Sequence, residues 1–223
     1  MTDLVILVPV LGRPSRVGPF LDAVEATTPG VPYVLFLADS GDDAEIEAIE
    51  EQEDVHPGVH VLLNLEGGNY AEKINRGVEV TPAPWILTAA DDLEPQPGWL
   101  EATGYRSAAA GQQLVIGVND LIPRRRRRAE HATHFLMSRA YAERPAIDGS
   151  EGPLFTGYGH EKVDDELIAT ARYRGAYVYV PEAHVKHLHP DVGTADWDGT
   201  YEKGRATRVA DRELFYEREH LWT

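Results

Sequence analysis

The sequence predicts an α/β fold in which a mainly parallel central sheet is flanked by helices and followed by a C-terminal helical extension. One observation is a series of short apolar runs with the length of buried strands, at residues 4–10, 33–37, 60–63 and 85–87. A second is that helical segments separate these runs, as where Val17, Phe20, Leu21 and Val24 repeat at helical spacing. Strands and helices that alternate at short intervals indicate right-handed crossovers and a parallel sheet.

The composition excludes several classes of protein. The chain has 223 residues, of which 43% are hydrophobic and 26% charged, and this fits one globular domain with a substantial core. A net charge of −16 argues against a protein that binds nucleic acid over its whole surface. The absence of cysteine excludes disulfides and thiolate catalysis. No apolar stretch approaches the roughly 20 residues of a bilayer span and no signal peptide is evident, so we expect no membrane span and a cytoplasmic location.

Polar turns follow the first two predicted strands. The first strand passes through Gly12 and Arg13 into a helix that has Pro14 near its first position. The second strand ends in an acidic run at residues 39–43. Because open α/β sheets bind ligands outside the carboxyl ends of their strands, we expect these turns to lie beside a binding cleft.

A glycine pair and a helix follow the third predicted strand. Asn69 is a good N-cap for this helix, and Asn69, Lys73 and Arg76 fall on one stripe at spacings of four and three. Glycines ahead of a helix N-terminus that carries cations can approach a phosphate closely. The alternative interpretation is a plain loop and cap.

The fourth predicted strand ends in two consecutive carboxylates, Asp91 and Asp92. Prolines at 95 and 97 and a glycine at 98 then turn the chain away. Two adjacent carboxylates at a strand end are expected to hold a hard divalent cation that bridges phosphate oxygens. A solvated acidic turn is the alternative.

The second half of the chain contains less regular patterns. Strand-like segments at 114–118 and 133–137 lie on either side of five arginines, Arg124 to Arg128, which could bind phosphates or an acidic acceptor or form a solvated loop. Asp164 and Asp165 open a helix, where acidic residues are also favoured by the helix dipole alone. A further strand at 177–180 is expected to end at Pro181.

Three histidines follow this last strand. In an extended segment, alternation places His187 and His189 on one face and His184 on the other. Two imidazoles that converge with carboxylates suggest a metal site, although a purely structural pair is the alternative. The tail from residue 191 onward is either a closing segment that brings Lys203 or Arg205 to a phosphate, or a packing or oligomer helix. In the second case its apolar side would consist of Ala206, Ala210, Leu214 and Leu221.

Taken in order, these motifs resemble the GT-A glycosyltransferases, and most closely the family-2 type that uses nucleotide-diphosphate sugars, which has virus-encoded members. The resemblance extends over about residues 4 to 190. It implies a Rossmann-like GT-A domain at 1–190 and a C-terminal lid or helical tail at 191–223. The motifs that carry it are VPVLGRP, LFLADSGDD, NLEGGNYAEKINRGVEV, ILTAADDLEPQPGWL, VDDELIATARYRG and PEAHVKHLHP.

The resemblance also implies roles for individual residues. The positions that match donor-binding residues of the family are Val10, Leu11, Gly12, Arg13, Asp39, Asn69, Lys73, Asp91 and Asp92. The implied metal ligands are Asp92 with His187 or His189, and the implied catalytic base is Asp164 or Asp165. The chain departs from the family pattern at Ala90 and Val163, where an aspartate and a glutamate are usual, and at Glu166, which replaces an aspartate.

The resulting hypothesis is an inverting glycosyltransferase that depends on Mn²⁺ or Mg²⁺. Its donor would be a nucleotide-diphosphate sugar, by default a UDP-sugar, and its acceptor a hydroxyl group. A modified DNA base or a protein hydroxyl, contacted through the arginine run, is one suggestion for the acceptor. The alternatives are a sugar-phosphate nucleotidyltransferase and a catalytically inactive protein that binds a nucleotide sugar or a carbohydrate.

Overall fold

Eight strands form one curled sheet in the part of the chain that the computed structural model describes, namely residues 3–28, 30, 33–64, 67–123 and 130–223. The strands are β1 (Leu4–Pro9), β2 (Tyr33–Asp39), β3 (Val59–Asn64), β4 (Trp85–Thr88), β5 (Leu93–Pro95), β6 (Val115–Asn119), β7 (Phe135–Ser138) and β8 (Tyr177–His187). Their order across the sheet is β3-β2-β1-β4-β7-β6-β8-β5.

The two halves of the sheet differ in strand direction. Strands β3, β2, β1 and β4 are mutually parallel, as the alternating pattern predicts. Strand β7 runs antiparallel to both β4 and β6, while β8 runs parallel to β6 and antiparallel to the short β5. The predicted α/β fold is confirmed, with its parallel character concentrated in the first ninety residues.

Helices cover both faces of this sheet. The helices are α1 (Pro14–Thr27), α2 (Asp43–Glu53), α3 (Tyr70–Val80), α4 (Trp99–Ala102), α5 (Arg139–Ala142), α6 (Val163–Tyr173) and α7 (Gly199–Arg218), and short 3₁₀ turns occur at Tyr105–Ser107, Pro190–Val192 and Glu219–Trp222. Alternation along β1 produces two cores, because Ile6 and Val8 pack with α1 whereas Val5 and Leu7 pack with α3 and α6. Within the described chain, no helix combines the length and the apolar character needed to cross a bilayer.

The predicted end of a strand at Pro181 is wrong, because β8 continues to His187. The pairing of β8 with β6 shifts at this point, from Val118 opposite Val180 to Asn119 opposite His184. A proline is tolerated in such an irregular stretch, since its missing N–H removes no regular ladder hydrogen bond. Asn119 instead donates its side-chain N–H to the Pro181 carbonyl, at 2.8 Å.

The apolar side predicted for the tail helix is buried only at its C-terminal end, where Leu214 and Leu221 are half-buried and Leu214 packs on the core. In α7, Ala206 and Ala210 are exposed, whereas Tyr201, Gly204 and Asp211 are buried. This helix therefore packs through a largely polar stripe, and simple apolar periodicity does not detect such a stripe.

Candidate active site

A cleft of about 650 Å³ opens at the carboxyl ends of β1 and β4. The beginnings of α3 and α6, the end of β8 and the first turns of α7 complete its walls. Most of the residues predicted from the sequence line it, namely Val10, Leu11, Arg13, Asn69, Lys73, Asp91, Asp92, Asp164, Asp165, His187 and His189. Motifs from five separate parts of the chain thus meet in one cavity.

The centre of this cleft is an ion-pair cluster around Arg13. One guanidinium nitrogen, Nη1, lies 3.1 Å from Asp91 Oδ1 and 3.0 Å from Asp92 Oδ2. On its other side, Arg13 Nε donates to Asp198 Oδ2 at 3.0 Å, and the guanidinium stacks 4.1 Å from the ring centroid of Tyr201. Arg13 was predicted to contact the nucleotide, and here it neutralises the two carboxylates that were predicted to bind metal.

Burial makes this cluster electrostatically unusual. Asp91 is 6% exposed and Asp92 is 4% exposed. Burial and the charge of Asp92 raise the pKa of Asp91 to about 7, against the opposing effect of Arg13. Burial alone would raise the pKa of Asp92 as well, but His187, Arg13 and the Tyr201 hydroxyl outweigh burial and hold the pKa of Asp92 below its ordinary value. The pair therefore favours one carboxylate that is firmly ionised.

His187 belongs to the same cluster. Its Nε2 lies 3.4 Å from Asp92 Oδ1, so these two side chains are close enough to share one ion. The His189 ring lies 5.4 Å from the His187 ring between centroids, and both histidines line the cleft, as alternation along the strand predicts. His189 Nδ1 accepts the backbone N–H of Asp191 at 3.1 Å, which commits that nitrogen to the local turn.

The buried acceptor atoms of this cluster suit a divalent cation. Asp91 Oδ2 and Asp92 Oδ1 are buried and make no hydrogen bond to any described residue, and Asp92 Oδ1 lies 3.4 Å from His187 Nε2. Carboxylate oxygens with one imidazole are an appropriate donor set for Mn²⁺. No group of three or more such side chains forms a complete metal site within the described ranges. Divalent ions at phosphate sites commonly take one or two carboxylates and complete their coordination with phosphate oxygens and water, and the residues present fit that arrangement.

Lys73 and Asp39 form a second ion pair beneath the donor side of the cleft. Lys73 is buried, and its Nζ lies 3.0 Å from Asp39 Oδ1 and donates to the Val10 carbonyl at 2.9 Å. Asp39 does not line the main cleft. Asn69 caps α3 as predicted, because its side chain accepts the Glu72 N–H while Glu72 accepts the Asn69 N–H.

The turn after β1 is fixed from both sides. Gly12 lies outside the main cleft and donates its backbone N–H to Asp42 Oδ2 at 2.8 Å. The Leu11 carbonyl accepts the hydroxyl of Thr200 at 2.6 Å. The backbone of this turn is therefore held in place by α2 on one side and by the tail on the other.

The second carboxylate pair lies at the start of α6. His131 Nε2 lies 3.2 Å from Asp164 Oδ2, and its Nδ1 lies 3.6 Å from Asp165 Oδ1. Lys162 Nζ donates to Asp165 Oδ2 at 2.6 Å. The side chains of Asp164 and Asp165 are 18% and 21% exposed, so both remain accessible from the cleft.

The tail helix lines this cavity with Thr200, Tyr201 and Lys203, and Lys203 is one of the two residues that a closing tail was expected to bring to a phosphate. The Tyr201 hydroxyl lies 2.8 Å from Asp92 Oδ2 and 2.7 Å from the Leu188 carbonyl, and it can donate its proton to either. Burial and the charge of Asp92 raise the pKa of Tyr201, so that its hydroxyl stays protonated. His131 was missed because no motif surrounds it. The predicted binding role of Arg124 to Arg128 falls outside the described residues.

Similarity to solved structures identifies the class of fold. A mannosyltransferase from Pyrobaculum calidifontis, solved in complex with GDP-Man and Mn²⁺, has a TM-score of 0.70 and 14% identity, over 97% of this chain and 64% of that one. Glucosyl-3-phosphoglycerate synthase from Mycobacterium tuberculosis, solved with Mn²⁺, UDP and glucosyl-3-phosphoglycerate, has a TM-score of 0.58 and 16% identity, over 93% of this chain and 79% of that one. This protein therefore has the GT-A fold.

Sequence similarity then identifies the family. Residues 5–162 match the model of glycosyl transferase family 2, and the chain belongs to that family. The resemblance to family-2 glycosyltransferases that the motifs indicated is thereby confirmed. No curated protein matches the sequence significantly. The chain spans 64% of the length of the mannosyltransferase, and residues after 162, including α6, β8 and α7, lie beyond the family match.

Proposed function

We propose that this protein transfers a sugar from a nucleotide-diphosphate sugar to an acceptor hydroxyl, with inversion at the anomeric carbon. The observation that carries the proposal is that two carboxylate pairs with different surroundings line one cleft. Asp91 and Asp92 are buried with Arg13 and His187, whereas Asp164 and Asp165 are partly exposed beside His131. Glycosyl transfer needs both a site for a dianionic leaving group and a base for the incoming hydroxyl.

The donor would bind between the turn after β1 and the start of α3. Arg13 and Lys73 line this part of the cleft, each already paired with carboxylates, and the capped N-terminus of α3 adds its dipole. Asp92, Asp91 and His187 would hold a Mn²⁺ or Mg²⁺ ion, and that ion when bound would neutralise charge on the departing diphosphate. The structural neighbours contain GDP-Man in one case and UDP in another. UDP-sugars therefore stay a first choice for testing, with GDP-mannose as the second.

Asp164 is the better candidate for the catalytic base. Lys162 Nζ occupies one carboxylate oxygen of Asp165 at 2.6 Å, which leaves that oxygen less available to an acceptor hydroxyl. Asp164 instead contacts the His131 imidazole. In the proposed step the acceptor oxygen bonds to the anomeric carbon, the bond from that carbon to the diphosphate oxygen breaks, and the electron pair leaves with the nucleoside diphosphate. The hydroxyl proton passes to Asp164, and a single displacement inverts the configuration.

Donor hydrolysis tests this proposal without knowledge of the acceptor, since water replaces the missing hydroxyl. The protein is incubated with UDP-glucose, GDP-mannose and related donors in the presence of Mn²⁺, and release of free sugar is measured. We expect slow hydrolysis of one donor, and its loss on addition of EDTA. The D164N variant, purified in the same way, controls for a contaminating hydrolase.

Other outcomes would identify the alternative functions. Binding of a nucleotide sugar without any turnover would indicate an inactive binding protein. Release of diphosphate from a nucleoside triphosphate and a sugar 1-phosphate would indicate a nucleotidyltransferase. Either result would overturn the proposal.

A further inference from the structure

One stripe of side chains on helix α7 contacts the segment that carries Asp164 and Asp165, namely the loop at 159–161 and helix α6. Residues along this stripe recur at alternating spacings of three and four, which keeps them on one face of the helix. They are Tyr201, Gly204, Arg208, Asp211, Phe215, Arg218 and, in the following turn, Trp222. The first residue of the stripe, Tyr201, contacts Asp92 on the donor side of the cleft. The last, Trp222, donates its indole N–H to the Thr170 hydroxyl on α6.

The central contact of this stripe is a buried carboxylate, Asp211, which is 3% exposed. Its two oxygens accept the consecutive backbone N–H groups of Gly159, His160 and Glu161 at 2.7, 3.0 and 2.8 Å. The Thr207 hydroxyl donates to the same carboxylate at 2.7 Å. Four hydrogen bonds to one ionised group fix the position of that backbone firmly, because bonds to a charged acceptor are about twice as strong as neutral ones.

The packing around Asp211 leaves little freedom for the loop at 159–161. A Cβ atom added to Gly204 would lie 2.5 Å from His160 Cδ2, and one added to Gly159 would lie 2.5 Å from Thr207 Cγ2. Both distances are shorter than real contacts allow, so a larger residue at either position would displace the His160 or Thr207 side chain. Arg208 adds a hydrogen bond to Glu161 at the edge of the contact.

The residue immediately after this loop is strained. Lys162 precedes the first turn of α6 with φ +74°, in the left-handed region that a side chain disfavours, and no side chain caps the helix there. Such a conformation persists only where the surrounding structure imposes it. Asp211 holds the three preceding residues, and Asp164 and Asp165 follow directly.

We propose that Asp211 is a positioning residue, which sets the backbone at 159–161 and thereby aims Asp164 at the acceptor. This inference rests on the proposed function for the chemistry of Asp164. It assigns to α7 a role in the transfer step that is separate from the contact of Tyr201 with Asp92. It also places a determinant of turnover outside the segment that matches the family.

Hydrogen exchange tests the structural half of this inference without any substrate. The D211N variant keeps the size of the side chain but loses its charge and turns one acceptor atom into a donor. We expect the amides of residues 159–161 to exchange about 10- to 100-fold faster in D211N, which is the effect of losing hydrogen bonds to a charged acceptor. Unchanged exchange at these amides would overturn the inference, whatever the protein catalyses.

A second variant separates positioning from general loss of stability. Arg218 lies two turns further along the same stripe and pairs with Glu166 and Asp148, so R218M also weakens the attachment of α7. It leaves the Asp211 hydrogen bonds in place. Thermal melting of both variants gives their loss of stability, and exchange at 159–161 is expected to stay near the wild-type rate in R218M.

The effect of Asp211 on turnover is tested by donor hydrolysis with UDP-glucose or GDP-mannose and Mn²⁺. We expect D211N to lower kcat by about 10- to 100-fold with little change in KM for the donor, because a displaced base affects turnover rather than donor binding. R218M should retain most of kcat well below its melting temperature. Equal losses of kcat in D211N and R218M would reduce Asp211 to a general packing role. If the wild type hydrolyses no donor, the proposed function fails, and the exchange data still decide whether Asp211 fixes the loop.

Discussion

Two pairs of adjacent aspartates line the same cleft, and they differ in almost every physical respect. Asp91 and Asp92 follow a central strand, are nearly inaccessible, and share the guanidinium of Arg13. Asp164 and Asp165 begin a helix, remain about one fifth exposed, and contact His131 and Lys162. The same dipeptide therefore occupies two environments that favour different chemistry.

The difference shows how surroundings assign a role to a carboxylate. Two buried carboxylates are stable only when cations compensate their charge. Such a pair is therefore held rigidly and is suited to bind a positively charged group or ion. A partly exposed carboxylate can accept a proton and return it to water. The first pair suits binding and the second suits proton transfer, and each prediction below tests one side of that contrast.

The largest effect is expected from removal of one charge in the buried pair. In the D92N variant the side chain keeps its shape but loses its attraction for a cation. Turnover should fall by about 10³-fold, because several kcal/mol of charge stabilisation disappear. Donor binding in the presence of Mn²⁺, measured by calorimetry, should weaken in parallel. If D92N bound the donor normally and lost only turnover, the two aspartate pairs would no longer differ in role.

The exposed pair should show the opposite pattern. D164N is expected to lower kcat by about 10²- to 10⁴-fold, the usual contribution of a general base, while donor binding stays intact. D165N serves as the matched control at the adjacent position. Its loss should be less than about 10-fold, because it removes a partly exposed ion pair with Lys162 and a 3.6 Å contact with His131. A larger loss in D165N than in D164N would exchange the roles proposed for these two residues.

Arg13 allows the buried pair to be tested for stability alone. Replacement by methionine removes the cation that the two buried carboxylates share, and the free energy of unfolding should fall by about 3–5 kcal/mol. R16M, at a less buried arginine of α1, should change it by less than about 0.5 kcal/mol. Added Mn²⁺ should raise the melting temperature of R13M more than that of the wild type, since a metal ion can supply the missing charge. Equal stabilisation of both by Mn²⁺ would contradict a cation site at these carboxylates.

The same contrast explains what could be predicted from the sequence. The strand before Asp91 was predicted because a short apolar run between prolines is too brief for a helix. Its position in a parallel sheet then predicted that the carboxylates lie at the cleft. Asn69 was predicted as a helix cap because capping depends on residues only three positions apart. Local patterns of this kind predict much of the fold and the strand ends and helix starts that line the site.

The remaining contacts depend on polar side chains that meet over long distances in the sequence. Arg13 reaches Asp92 across 79 positions, and Tyr201 reaches it across 109. A buried polar stripe such as that of Tyr201 and Asp211 has the same composition as an exposed helix face. Apolar periodicity therefore predicted the half-buried Leu214 of α7 but not the buried Tyr201 and Asp211. The assignment of 191–223 as a separate lid or tail stays a prediction.

A third carboxylate sharpens the comparison, because Asp211 is as buried as Asp91 but is compensated by N–H and O–H dipoles rather than by a cation. Burial raises the pKa of Asp211, but the hydrogen bonds from Thr207 and from the amides of 159–161 outweigh burial, and the net pKa is lowered. A carboxyl group with a lowered folded-state pKa stabilises the protein above its unfolded-state pKa of about 3.9, and this contribution is lost as the pH falls through the folded-state value. The wild type should therefore exceed D211N in free energy of unfolding by about 1–3 kcal/mol at pH 7. Urea titrations should show this difference to be constant between about pH 8 and pH 5, and to shrink only below about pH 4. A difference that already declines between pH 7 and pH 6 would mean that a histidine, and not the Asp211 carboxylate, provides the stabilisation.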